Sequence, residues 1–144
     1  MAAVGHWHID IFPWMRWSHK VNGGTIVREN WNNALSMAMM RQGTVAQNDE
    51  IGWDVQLTEG TWNLTVIYYK STDRGIQTWK LDGTTLGTID GYAASESWNN
   101  VTQITGFTVS TSGIYTLKCV MATKNASSSN YYYSLQVINL MRTA

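Results

Sequence analysis

The chain has one cysteine, Cys119, and one proline, Pro13, in 144 residues. A single thiol makes no internal disulfide and no multi-cysteine zinc site. A disulfide-free chain can work in any compartment, so cysteine usage leaves location open. Charge is scarce too: charged residues are 14% of the chain, ten Lys and Arg against ten Asp and Glu. A soluble domain usually carries about 25%. Dispersed, balanced charge excludes a general binder of nucleic-acid backbones, whose affinity comes from clustered positive charge. No apolar run approaches the roughly 18 residues of a membrane helix. The opening stretch MAAVGHWHIDIFPWMRW lacks a basic region followed by an apolar one, so it does not read as a secretory signal. No P-loop, G-x-G-x-x-G or G-x-S-x-G occurs, and no repeat of solenoid length is visible.

What is abundant is aromatic. Eight Trp and seven Tyr stand beside seven Met. Such a chain is not disordered. Its length is that of one domain, which buries about 68–70% of its unfolded surface without help from metals or disulfides. Trp, Tyr and Met are enriched at interfaces, and zero net charge favours association. The composition therefore predicts a face that is covered rather than bathed in water.

From Ile51 onward the pattern is that of strands. Segment 51–57 alternates in part. Segment 61–70 places Trp62, Leu64, Val66 and Tyr68 on one face by period two. Segments 75–82 and 85–90 flank Asp82-Gly83, a hairpin signal because both residues tolerate positive φ. Gly91 to Asn100 reads as a loop holding Tyr92 and Trp98. Segments 101–109, 113–123 and 131–142 complete the set. In the last, Leu135, Val137, Tyr131 and Tyr133 fall on one face, and Tyr132, Ile138 and Leu140 on the other. A strand apolar on both faces is central in its sheet or covered from outside. Short strands with turns every 8–12 residues or so predict an all-β antiparallel sandwich over 51–144.

The first fifty residues are less regular and read as an N-terminal arm or first strands, packed on the sandwich or on a neighbouring subunit, within one globular domain. Segment 6–12 alternates, and Pro13 ends it. Segment 31–42 reads as irregular or partly strand. Trp7, Phe12, Trp14, Trp17 and Trp31 crowd this region and are the candidate protein-interface residues.

Candidate chemistry is sparse. His6, His8 and Asp10 at alternate positions share a strand face, a spacing some metal sites use, but no fourth ligand is indicated. An ordinary polar strand face is the preferred reading, with no metal. Asp82 and Asp90 are the carboxylate pair a glycoside hydrolase would need, yet turn capping explains both. Cys119 lies in the apolar run TLKCVMA and reads as an inert core thiol. No catalytic residue and no cofactor is assigned. Three sequons, at Asn63, Asn100 and Asn125, are read as chance matches in an Asn- and Thr-rich chain. The better lead is aromatic: Tyr92, Trp98 and Tyr131 lie in or beside loops, where ring faces stack on sugars, with Asn99, Asn100, Asn125 and Asn130 nearby for hydroxyls.

Segment 59–142 resembles the galactose-binding-like β-sandwich of family 6-type carbohydrate-binding modules. The carriers are GTWNLTV at 60–66, LDGTTLGTIDGY at 81–92, SGIYTLKCVMATKN at 112–125 and YYYSLQVINL at 131–140. The resemblance implies a jelly-roll sandwich with ligand aromatics in loops, for which Tyr92, Trp98 and Tyr131 are the available matches. It also implies calcium held by acidic residues of the last and first strands. The last strand carries Gln136 and Asn139 instead, so calcium is not carried over.

The chain as a whole is also similar in style to small jelly-roll proteins of tailed-phage particles, in QNDEIGWDVQLTEGTW (47–62), DRGIQTWKLDG (73–83) and TKNASSSNYY (123–132). That similarity implies a non-catalytic virion subunit, a capsid decoration (cement) or tail-fibre component. It would form a trimer, bind a capsid or tail protein, and pass through the host cytoplasm during assembly. This is the leading expectation from sequence. A glycan-binding module is its alternative, and neither involves nucleic acid or membrane.

Overall fold

A computed structural model describes residues 7–13, 19–21, 25–29, 38–42 and 46–144. Eleven strands follow in chain order: β1 His8–Ile11, β2 His19–Val21, β3 Thr25–Glu29, β4 Ala38–Gln42, β5 Glu50–Leu57, β6 Gly60–Lys70, β7 Ile76–Leu81, β8 Thr84–Asp90, β9 Ser97–Val109, β10 Gly113–Thr123 and β11 Ser134–Arg142. They form two antiparallel sheets. One runs β3-β4-β11-β6-β9, with β1 also paired to β11, and the other runs β2-β5-β10-β7-β8. The expected all-β sandwich is the observed architecture. Strands from the first fifty residues are built into both sheets: β1 and β4 lie against β11, and β2 against β5.

The sequence pattern explains the core. On β6, Trp62, Leu64, Val66 and Tyr68 are buried and alternate with the half-buried Asn63, Thr65 and Ile67. On the facing sheet, Trp53 and Trp79 stack with ring centroids 6.3 Å apart and 17° between planes. A buried indole needs a partner for its N–H. Trp62 donates to the Thr58 carbonyl at 2.9 Å, and Trp79 to the buried Gln77 amide oxygen at 3.1 Å. The β7–β8 hairpin turns at Asp82, where φ is +50° as the Asp-Gly pair predicts.

Cys119 is fully buried, and burial pushes its thiol well above the ordinary range. The thiolate is the reactive form. The folded protein is therefore expected to stay unlabelled by a thiol reagent at neutral pH, and to take up one equivalent when unfolded. Labelling followed by intact-mass measurement checks this, and fast labelling of the native chain would refute it.

Two strand boundaries differ from the sequence reading, for one physical reason. In β11, Leu135 pairs with Tyr68 but Val137 pairs with Ile67, so Gln136 is a bulge. The extra residue reverses the alternation. Tyr133, Leu135, Ile138 and Leu140 are therefore all buried together, not split between two faces. In β9, Asn100 pairs with Tyr68 and Ser97 with Lys70, so Trp98 and Asn99 together oppose Tyr69. The expected loop 91–100 therefore ends at Glu96, and Trp98 belongs to a strand. Asn99 takes φ +55°, which asparagine tolerates better than most residues.

Candidate functional site

The two bulges meet across β6. Gln136 is fully buried, donates to the Asn99 side-chain oxygen at 2.7 Å and accepts the Asn99 backbone N–H at 3.2 Å. This pair fixes the backbone beside Trp98. The Trp98 ring then lies 4.3 Å from the ring of Tyr69, tilted by 44°. Tyr69 is buried and Trp98 half-buried, so the tyrosine is a floor and the indole is the more accessible ring. Burial raises the Tyr69 hydroxyl above its ordinary pKa; Ser71 and Glu96 are its side-chain hydrogen-bond partners.

Beneath Tyr69 sits Arg74, buried although it comes from the Ser71–Gly75 loop. Its guanidinium carbon is 4.9 Å from the Tyr69 ring centroid and 5.8 Å from that of Tyr132. Its Nε donates to Ser134 Oγ at 3.0 Å, and its Nη1 pairs with Asp73. Cations over aromatic faces are attracted by the ring quadrupole, more so when desolvated. Trp98, Tyr69, Arg74 and Tyr132 thus form one continuous stack.

The loops at this end are stitched by backbone bonds. Gly91 N–H donates to Gly75 O at 3.0 Å, and Gly75 N–H to Tyr132 O at 2.9 Å. The approach is too close for side chains: a Cβ on Gly91 would stand 2.8 Å from the Gly75 carbonyl oxygen. Gly91→Ala is expected to cost about 1–3 kcal/mol by forcing these loops apart. A thermal melt unchanged from that of the parent chain would contradict this.

The three aromatics expected from sequence lie at this end but in different settings. Trp98 belongs to the stack just described. Tyr131 has the Lys124 ammonium 5.5 Å from its ring centroid. Tyr92 bridges to Ser71, and its N–H donates to Asp90 Oδ1 at 2.8 Å. Tyr69, Arg74 and Tyr132 were missed by the sequence reading. Of the expected interface residues, Trp7 is 56% exposed, with the Arg142 guanidinium 5.0 Å from its ring centroid, and Phe12 is 41% exposed. Trp14, Trp17 and Trp31 lie outside the described residues.

The carboxylate pair does not assemble. Asp82 sits at the β7–β8 turn and accepts from Thr116 N–H at 2.9 Å. Asp90 ends β8 at the other end of the strand, where Asn125 donates to its Oδ2 at 2.9 Å. The metal alternative fares no better. His8 and Asp10 do share a face, at 2.9 Å, but Asp10 Oδ1 also accepts from Asn139. His6 lies outside the described residues. The Asn139 bond, more than His8, holds the Asp10 carboxyl below its ordinary pKa. Among the described residues no three His, Cys, Asp or Glu side chains gather as a metal site. The two amides of the last strand, Gln136 and Asn139, are engaged with Asn99 and Asp10.

No family model and no curated protein matches the sequence. Solved structures do match in fold. A Paenibacillus xanthan lyase superposes with a TM-score of 0.71 at 23% identity over 84% of this chain, which spans only 12% of that protein. The C-terminal family 6 carbohydrate-binding module of LamC, a laminarinase of Zobellia galactanivorans, gives 0.61 at 13% identity, covering 94% of this chain and 99% of the module. A family 6 module of Cellvibrio mixtus lichenase 5A, solved with cellotriose, gives 0.60 at 16% identity over 94% and 98%. The fold is thus the one carbohydrate-binding modules use. The virion-subunit expectation draws no support from these neighbours.

Proposed function

We propose that this chain is a non-catalytic module that binds a glycan at the loop end of the sandwich. One observation carries the reading: a half-buried Trp98 indole held at 4.3 Å on a buried Tyr69, with its strand fixed by the Gln136–Asn99 pair. An aromatic face that is rigid and partly open is what a pyranose ring stacks on. The floor matters because preorganisation removes part of the entropic cost of binding. The fold shared with modules of polysaccharide-degrading proteins supports the same reading. The separation of Asp82 from Asp90 speaks against glycoside hydrolysis, which needs two carboxylates flanking one bond.

The test is native affinity electrophoresis of the intact chain in gels containing soluble polysaccharides, with a glycan array in parallel. Retardation by at least one polysaccharide is expected, with no release of reducing ends on incubation. Migration unchanged across the whole panel, with a blank array, would overturn the proposal.

A further inference from the structure

Beside the Trp98 stack lies a second group of side chains, and its chemistry is one-sided. The strap 124–131 links β10 to the segment that leads into β11. It is tied down from within. Asn125 donates to Asp90 and accepts from Ser127 N–H, while Ser128 Oγ lies 2.8 Å from the Arg74 carbonyl and 2.9 Å from that of Asn130. Lys124 reaches across this strap. Its ammonium donates to the Ser128 carbonyl at 2.8 Å and stands over the Tyr131 ring.

No carboxylate among the described residues pairs with Lys124. The acids of this end are already engaged: Asp73 with Arg74, Asp90 with Tyr92 N–H and Asn125, and Glu96 with Tyr69. Asn130 adds to the asymmetry. Its Oδ1 accepts the Tyr131 N–H at 2.8 Å, which leaves the Nδ2 donor without a partner among the described residues. The Tyr131 hydroxyl has none either. An ammonium, an amide N–H and a phenol O–H therefore belong to one strap, and among the described residues the ammonium meets only the neutral Ser128 carbonyl and the Tyr131 ring, with no carboxylate against it.

From this arrangement we infer that the Lys124–Asn130–Tyr131 strap is a subsite for an anionic sugar, one carrying a carboxylate. The inference rests on the glycan-binding reading and specifies its substrate class. A neutral hydroxyl can accept from the same donors, but without the gain from opposite charge. A carboxylate only accepts, and its hydrogen bonds to a cation are about twice as strong as neutral ones. Tyr131 supplies the apolar wall beside the charge. The strap is preorganised by the bonds of Asn125 and Ser128, and the Lys124–Ser128 bond holds the ammonium in place.

The experiment compares uronate-containing polysaccharides, polygalacturonate and alginate among them, each with its carboxyl-reduced form, together with the neutral panel above. The wild-type chain is expected to bind the acidic forms about tenfold or more tightly than the reduced ones. Lys124→Met should bring that ratio close to one. Lys124→Arg should restore it, and added salt should erode it. A wild-type chain that binds reduced or neutral forms equally well or better overturns the inference alone. So does a Lys124→Met variant that is folded by thermal melt and keeps the preference. A chain that binds no glycan of either kind overturns the glycan reading and this inference with it.

Discussion

Trp98→Ala is expected to abolish measurable glycan binding while leaving the domain folded. The indole is the more exposed ring of the Trp98–Tyr69 pair, and nothing else described at this site replaces it. Buried aromatic anchors of binding sites cost about 2–4 kcal/mol when truncated, which is a loss of roughly 30- to 1000-fold in affinity. The stability cost is smaller because Trp98 is only half-buried and lies at the end of β9, outside the core. Its removal exposes one side of Tyr69 but opens no internal cavity. A drop of a few degrees in Tm is the expected scale. Trp98→Phe should retain part of the affinity, since a smaller ring still stacks. Trp79→Ala provides the contrast: that indole is fully buried against Trp53, and its loss costs about 3–5 kcal/mol by leaving a cavity. Calorimetric titration with the best-retained polysaccharide, beside a thermal melt of each variant, separates the two effects. A folded Trp98→Ala variant with parental affinity would remove the central residue from the proposed site.

Much of this architecture was legible because period two is a simple signal. Trp62, Leu64, Val66 and Tyr68 sit where alternation put them, and the Asp82-Gly83 turn is where the chain reverses. The sequence reading failed at Trp98 and at the faces of β11, both times at a bulge. An inserted residue changes the face of everything beyond it, yet leaves no compositional mark of its own. Two weak hints existed. Asn99-Asn100 is a doublet that tolerates the left-handed region, and β11 appeared apolar on both faces. A central strand and a bulged strand both produce that second pattern, and β11 is both.

The stack under Trp98 was hidden for another reason. Ser71–Gly75 is the loop between β6 and β7, and loop arginines are almost always solvated. Burial of Arg74 depends on Tyr69, Tyr132 and Ser134 arriving from three other places in the chain. No local pattern encodes that convergence. The scarcity of charge, in contrast, now has a location. Thr61–Tyr69, Ser97–Val109 and Ser134–Met141 contain no Asp, Glu, Lys or Arg. These are the adjacent strands β6, β9 and β11. The neutral composition therefore reflects three neighbouring strands of one sheet, including their outward residues Asn63, Thr65, Gln103 and Asn139, rather than only a large core. The outward polar side chains bond across strands: Gln103 donates to Thr65 Oγ1, and Asn139 to the Asp10 carboxylate of β1.

Arg74→Ala is expected to be the most damaging change outside the core. It strands the buried Ser134 hydroxyl, removes the cation between two rings, and leaves a gap under Tyr69. Together these predict about 3 kcal/mol of lost stability, a fall in Tm of roughly 6–12 °C for a chain of this size. The parts can be separated. Ser134→Ala removes only the hydroxyl and should cost about 1 kcal/mol. Asp73→Asn should cost less than about 1 kcal/mol, because its carboxylate is a third exposed and solvent screens the pair. Arg74→Lys should recover little, since an ammonium lacks the planar fork that meets Ser134 and Asp73 at once. Binding should fall with stability for a structural reason: without Arg74, Tyr69 is no longer held beneath Trp98. Affinity measured well below the melting temperature is therefore expected to approach that of Trp98→Ala. Parental Tm would refute the clasp, and parental affinity in a folded variant would show that Trp98 needs no floor. The two measurements thus test separately whether the buried arginine holds the loops together and whether it presents the ring.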